Sequence, residues 1–390
     1  MEVKQIYTLI NKVSNEVLGK LNLVQEDLTG IVDMGTEVFN QNAIDNYVKS
    51  LVNHIGKVVF VNRPYSGKVP SVLMSAWEFG SVLEKISADI PQAQENDSWD
   101  LTDGETYSQD VFHKPTVTAK FFNSKVTFEI PVSITERQVK ESFSSPEQLN
   151  GFISMIYSAV DKSMTIKTDA LIMRTINNMI AETLNADAAA FTKDGNLKWS
   201  NASTVRCVNL LKLYNDRFNK TLAPTYSVTD QDFIRFASYM MGLYADRLGS
   251  ISTLCNIGGK ERFTPSDMLH TVLLSEFANA AQTYLYSDTF HKEHVLLPNS
   301  QTVSSWQSGG YTNSFTSDST INIKTSTGTA IHASGILGVM FDRDALGVCN
   351  LDKRVTTNYN AKAEFFNNYY KFDCGYFNDT NENFVVFFVA

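Results

Sequence analysis

The sequence predicts an α+β fold, and three stretches carry that expectation. Residues 84–110 hold eight acidic side chains (Glu84, Asp89, Glu95, Asp97, Asp100, Asp103, Glu105, Asp110) against one base, Lys85. A clean β alternation follows from Lys125 to Ile134, with Val126, Phe128, Ile130, Val132 and Ile134 on one side. Ser145-Pro146 then opens the longest helical pattern of the chain, and aromatic β sequence closes it.

The acidic window carries −7 of the formal net charge of −9. Such a stretch cannot bury enough apolar area to offset its own ordering entropy, and a two-stranded ribbon standing alone is marginal in water. An arm of this kind is expected to lie across something else, which points to an assembling protein.

The elements follow in chain order. Residues 1–27 show loose helical periodicity through Ile6, Leu9, Ile10, Val13, Val17, Leu18 and Leu21, an amphipathic segment in need of a partner surface. Thr36–Gly56 reads as a helix closed by Gly56, Lys57–Val61 as a short strand, and Arg63–Gly67 as a turn. Thr116–Phe122 alternates, and Asn123-Ser124 is expected to turn it into Lys125–Ile134 as a hairpin. Each strand of that hairpin would reach roughly 33 Å.

Ser145 suits an N-cap, Pro146 the first helical position and Gln148 the third, as in a capping box. The apolar stripe runs through Leu149, Phe152, Ile153, Ile156 and Val160, then Leu171, Ile172, Ile176, Met179, Ile180 and Leu184. Its drift between 160 and 171 predicts a kink or a change of packing partner. A separate globular region is expected over 190–345, with helices at Asp230–Leu248, capped by Thr229, and at Ser266–Tyr284. Residues 298–335 are rich in Ser, Thr, Gly and Asn and suit loops and short strands. The all-apolar run Phe384–Val389 fits a strand covered on both faces.

Composition narrows the function. A length of 390 residues sets a prior of two or three domains. Apolar content of 43% and charged content of 19% describe a folded, soluble chain. The 25 Phe and 16 Tyr fit a Phe-rich core and an aromatic interface equally. A pI near 5.2 and the absence of a basic run argue against a grip on nucleic-acid backbone. Cys207, Cys255, Cys349 and Cys374 are widely spaced and read as buried free thiols. Lys4, Asn11, Lys12 and Glu16 interrupt any signal-peptide core, and no apolar run is long enough to span a membrane.

No catalytic constellation emerges, and no cofactor is expected. Gly258-Gly259-Lys260 has Leu254 where a phosphate loop needs its first Gly, and Glu261 where it needs Ser or Thr. His291 and His294, with Asp288 nearby, are the sole metal-like cluster, but they lack the HExxH spacing and a third ligand. The carboxylates of 95–105 sit on a polar loop where burial would not raise a pKa.

The order of parts resembles the major capsid proteins of tailed bacteriophages with the Hong Kong 97 fold. Met74–Ile86 (MSAWEFGSVLEKI) resembles the lead-in to that family's extended loop, and Val339–Val348 (VMFDRDALGV) the segment closing its middle domain. Thr356–Phe387 resembles its terminal strands, nearest those in phages of Gram-positive hosts. The resemblance implies an N-terminal arm at 1–55 and a peripheral domain from 56–79, 136–189 with its spine helix, and 346–390 with its antiparallel strands. It also implies an extended β-hairpin loop at 80–135 and an axial domain at 190–345.

The implied role is a major head protein, not an enzyme, that self-assembles through hexamers and pentamers into an icosahedral shell. The shell would enclose double-stranded DNA without sequence-specific binding. A separate scaffolding protein and a portal are the implied partners, and the virion, made in the bacterial cytoplasm, the location. The residues expected to contact neighbouring subunits are Trp99, Val117, Phe121, Val126, Phe128, Ile130 and Val132. Two alternatives stand beside it: a minor virion component, and a cytosolic enzyme using a metal at His291 and His294. On the capsid expectation, Phe128→Asp blocks shell formation more than it lowers monomer stability.

Overall fold

The computed structural model describes residues 3–18, 46–47, 50, 69–74, 82–91, 93, 95, 97–106, 112–137, 146–191, 193–194, 196–197, 202–286, 297, 299–307 and 314–390. The helix expected at 36–56 lies outside them except at 46–47 and 50, which are helical. The strand at 57–61, the turn at 63–67, the Ser145 cap and the His291–His294 cluster also lie outside. The chain divides into two compact units: residues 1–68, 125–171 and 349–375, and residues 69–124, 172–348 and 376–390.

The first unit contains α1 (Val3–Leu18), which buries Ile10 and Val13 fully. Its sheet is built on β4 (Lys125–Thr135), β13 (Leu346–Asn360) and β14 (Phe365–Asn378), the last neighbouring both others. β4 runs antiparallel to β14 through eleven consecutive pairs, from Thr135 opposite Phe365 to Lys125 opposite Gly375. This register stacks Phe128 on Phe372 with ring centroids 5.1 Å apart, and sets the Lys371 ammonium 3.2 Å from the Glu129 carboxylate.

The hairpin expected between 116–122 and 125–134 therefore does not form. β3 (Val117–Phe122) pairs with β2 (Leu83–Ala88), and Asn123-Ser124 carries the chain from one sheet into another. Alternation fixes which side chains share a face, but not which strand lies alongside. β14 gives β4 aromatic cross-strand partners that the six residues of β3 do not match.

α2 (Pro146–Ala186) is one unbroken helix of 41 residues, roughly 60 Å long. The drift of its stripe has a simple cause. Where side chains are described in its first half, Ile156, Val160, Met164, Thr168 and Leu171 are buried on one line. From Ile172, where the helix enters the second unit, burial spreads around the axis through Thr175, Ile176, Asn177, Met179, Ile180, Ala181, Thr183 and Leu184. Asn177 donates to the Trp306 carbonyl at 2.6 Å, and the Thr175 carbonyl accepts from Asn378 at 3.2 Å.

The second unit centres on a five-stranded sheet in the order β7 (Cys207–Asn209), β15 (Phe384–Phe388), β12 (Ile336–Asp342), β8 (Leu269–Leu274), β9 (Ser300–Val303). β12 is antiparallel to both neighbours, and the outer pairs are parallel. Every residue of β12 and β15 is buried; β15 has no polar side chain, as expected for a strand covered on both faces, while β12 ends on the buried Asp342. Three helices, α3 (Leu210–Phe218), α4 (Gln231–Leu248) and α5 (Ser275–Tyr286), close the core with Leu211, Phe233, Ala237, Met241 and Phe277 against Leu337, Met340, Val385 and Phe387. All four cysteines are buried free thiols.

Two helix boundaries differ from expectation. Residues 269–274 are strand rather than the first half of a helix, because a short apolar run buried between two strands has no helical signature of its own. α4 is capped by Asp230, not Thr229: the Asp230 carboxylate accepts from the Phe233 N–H at 2.7 Å. Thr229 instead closes the preceding 3₁₀ turn, donating to the Tyr226 carbonyl at 2.9 Å.

Phe387 is fully buried and meets Tyr244 edge-on at 5.4 Å. Phe387→Ala is expected to cost about 3–5 kcal/mol in chemical denaturation. Gly335 has φ +78°, and an added Cβ would lie 2.1 Å from the Val389 carbonyl oxygen. Gly335→Ala should cost about 1–3 kcal/mol by strain alone, and a variant as stable as the parent would contradict this packing.

Candidate functional site

The β2–β3 ribbon pairs antiparallel from Leu83 opposite Phe122 to Ala88 opposite Val117. Period-two alternation gives it two faces. One carries Leu83, Lys85, Ser87, Thr118, Lys120 and Phe122, all half-buried; the other carries Glu84, Ile86, Ala88, Val117, Ala119 and Phe121, all exposed. The polarity is inverted. The lysines turn toward the second unit's own body, while Ile86, Val117 and Phe121 stand 64%, 58% and 62% exposed.

The register sets Lys85 directly opposite Lys120, a like-charge pair that destabilises a ribbon by itself. One carboxylate resolves it. Asp379 lies in the turn between β14 and β15, and its side chain is 2% exposed. Its Oδ2 meets the Lys85 ammonium at 3.0 Å and its Oδ1 the Lys120 ammonium at 2.8 Å. Lys85 also donates to Glu382 Oε1 at 2.7 Å and to the Asp344 carbonyl at 3.2 Å. Arg262 Nε reaches the same Glu382 oxygen at 3.3 Å. Lys260 holds Asp89 at the end of β2 at 2.9 Å, and Phe122 packs on Phe377 with centroids 5.0 Å apart.

The turn is itself rigidly made. The Asp379 N–H donates to the Ala345 carbonyl at 2.6 Å, the Asn381 N–H to Asp379 Oδ1 at 3.0 Å, and the Gly258 N–H to the Thr380 carbonyl at 2.9 Å. Burial alone would raise the Asp379 carboxyl, but Lys120, Lys85 and the Asn381 N–H outweigh it and hold the group below its ordinary value. Burial also works against the Lys85 ammonium, yet Glu382 and Asp379 raise it above an ordinary lysine.

Beyond the paired residues the ribbon ends in the acidic segment. A 3₁₀ turn at Asp97–Trp99 leaves Trp99 99% exposed, with Leu101 and Phe112 also in solvent. Gly104 adopts φ +87° in the turn that follows, where a side chain would be strained.

The residues expected to make intersubunit contacts thus fall into two groups. Trp99, Val117 and Phe121 belong to the ribbon and are exposed. Val126, Phe128 and Val132, half-buried, and Ile130, buried, belong to β4 and its sheet with β14. Phe128 has an aromatic partner in its own chain, so Phe128→Asp strikes the fold as well as any interface. Lys85, Lys120, Asp379, Glu382 and Ile86 were not singled out from the sequence. Lys85 and Lys120 are the sole bases of their strands, but alternation alone does not tell that their face is the inward one. Among the described residues no three His, Cys, Asp or Glu side chains are grouped to hold a metal ion, and no helix is long and apolar enough to cross a membrane.

A family model described as Phi29-like phage major capsid protein matches residues 10–388. Among solved structures, the chain resembles a chain of the capsid of Staphylococcus phage Andhra with a TM-score of 0.51 at 9% identity, over 84% of this chain and 86% of that one. A chain from the structure of head fiber and inner core protein of bacteriophage P68 gives 0.48 at 8% identity, over 85% and 88%. One from the capsid of the Cyanophage P-SCSP1u gives 0.43 at 11%, over 85% and 92%. No curated protein sequence matches the chain.

Asp379→Asn leaves two ammonium groups facing each other across the ribbon. It should cost about 3 kcal/mol, the low end for a broken buried pair because both lysines keep some solvent. Since the Asp379 value is lowered on folding, its contribution is present above about pH 4 and lost as pH falls through the folded value. The raised Lys85 value adds stability that is complete below about pH 10.4 and lost as pH rises through its folded value. Protection of the β2 and β3 amides, taken as exchange relative to the intrinsic rate at each pH, should therefore hold from neutral pH down to about 4 and fall below it; protection that does not fall in acid would contradict the anchor.

Proposed function

The chain belongs to the Phi29-like phage major capsid protein family, and from that membership we propose that its β2–β3 ribbon is the extended loop joining neighbouring copies in the shell. As a major capsid protein it is a structural component of the virion. The observation that carries the loop assignment is the outward apolar face, with Ile86, Val117 and Phe121 in solvent while the lysines face inward. Contiguous exposed apolar surface on an otherwise charged ribbon marks an interaction site, and each Å² covered contributes about 25 cal/mol.

The loop spans 83–122 in this proposal, shorter than the 80–135 expected from sequence, because β4 belongs to a different sheet. The remaining divisions are proposed with it: an N-terminal arm at 1–55, a peripheral domain from 56–79, 136–189 and 346–390, and an axial domain at 190–345. Copies would close into hexamers and pentamers, where modest contacts gain strength by repetition. Assembly would take place in the bacterial cytoplasm with a separate scaffolding protein and a portal. A subunit of formal charge −9 suits a container that does not adhere to its DNA.

Ile86→Asp and Phe121→Asp place charge on the outward face without touching the lysine anchor. Each should change monomer stability by less than about 0.5 kcal/mol while abolishing shells seen by electron microscopy and sedimentation. Normal shells from both variants would remove the ribbon from the interface.

A further inference from the structure

A groove of about 530 Å³ opens on the second unit between the C-terminal end of α3 and the first turns of α4. Its floor is aromatic: Tyr214 and Phe236 are buried there, and Phe218 and Tyr239 form half-exposed walls. Three cations line it, Arg217, Lys220 and Arg235, against one carboxylate, Asp232. Lys220 is committed to the Tyr214 hydroxyl at 2.7 Å and to Asp232 at 3.2 Å. The Arg217 guanidinium instead lies over ring faces, 5.9 Å from the centroids of Phe218 and Phe236 and 6.0 Å from that of Tyr239. A net positive, aromatic-walled groove of this kind suits a ligand with an indole or similar ring flanked by carboxylates.

The same chain carries that ligand. Trp99 is fully exposed, and Glu95, Asp100, Asp103 and Glu105 around it are exposed too. No basic residue occurs between Lys85 and His113. We propose that the tip of the ribbon, with Trp99 as anchor, docks in the α3–α4 groove of a neighbouring copy; this rests on the capsid reading above and adds where the loop ends. The indole would lie against Phe218 and Tyr239, and Asp100 and Asp103 would meet Arg217 and Arg235. Trp and Arg are the residue types that dominate interface energetics. A tip and a groove on every copy make a head-to-tail contact that closes into a ring with one tip per groove.

The test uses the full chain carrying Ser98→Cys and Asp232→Cys, assembled and then treated with a short bismaleimide. The four natural thiols are buried. Covalent dimers and higher ladders are expected on denaturing gels from the double variant, and monomers from either single variant. In parallel, Arg217→Glu with Arg235→Glu should lower shell yield at least tenfold, and adding Asp100→Arg with Asp103→Arg should restore it. The unassembled subunit should stay folded with cooperative melting in both sets, losing only the surface contacts of Arg217 with its neighbouring rings, and the Asp100→Arg with Asp103→Arg addition should restore yield without restoring that melting temperature. Normal shells without cross-links, a monomer linked only to itself, or full yield from the arginine reversal would overturn the docking while leaving the capsid-loop reading intact. An unaltered chain that forms no shells in the presence of the other head components would overturn both.

Discussion

One buried carboxylate holds the inward face of the β2–β3 ribbon. Asp379 accepts two lysines at once, one on each of its oxygens, from residues that the strand register places face to face. Without it, Lys85 and Lys120 would face each other across the ribbon with no carboxylate between them, a like-charge pair that destabilises the inward arrangement. With it, the lysines are held inward and Ile86, Val117 and Phe121 are displayed. An electrostatic clamp thus sets the orientation of a hydrophobic surface. Glu382, Arg262 and the hydrogen bonds of the 379–383 turn keep the clamp in place.

The turn that carries Asp379 owes its position to the strands on either side. β15 lies between β12 and β7 with every side chain buried, and β14 lies between β13 and β4. Any slip in either register would move Asp379 by a residue and turn its side chain to the opposite face. The aromatic pairs Phe128–Phe372 and Tyr244–Phe387 therefore do more than fill space. They pin the strands that present the acid. This coupling links the stability of the subunit to the display of the ribbon's outward apolar face.

The long helix α2 shows how one element can serve two environments. Up to Leu171 its described side chains bury along a single line, and beyond Ile172 burial extends around most of the axis. A rod with one consistent stripe would have satisfied only the first condition. The change in pattern is visible in the sequence as a drift in periodicity, and it did not require a kink.

The sequence by itself determined the mixed α+β class, the long helix, the fully buried terminal strand, the free buried thiols and the solvated acidic loop around 95–105. Each is written in local periodicity, charge or composition, which act over a few residues. Only the tertiary structure decided strand partners. Alternation in 116–122 and 125–134 specified two half-buried strands, but the choice of β2 for one and β14 for the other depends on residues 29 to 39 and 230 to 250 positions away. For the same reason 269–274 read as helix until β12 and β9 were beside it. The inward lysines were equally illegible, since alternation alone says that the apolar face is the buried one. That rule yields here because a single distant aspartate makes burial of two ammonium groups favourable, and no local pattern announces it.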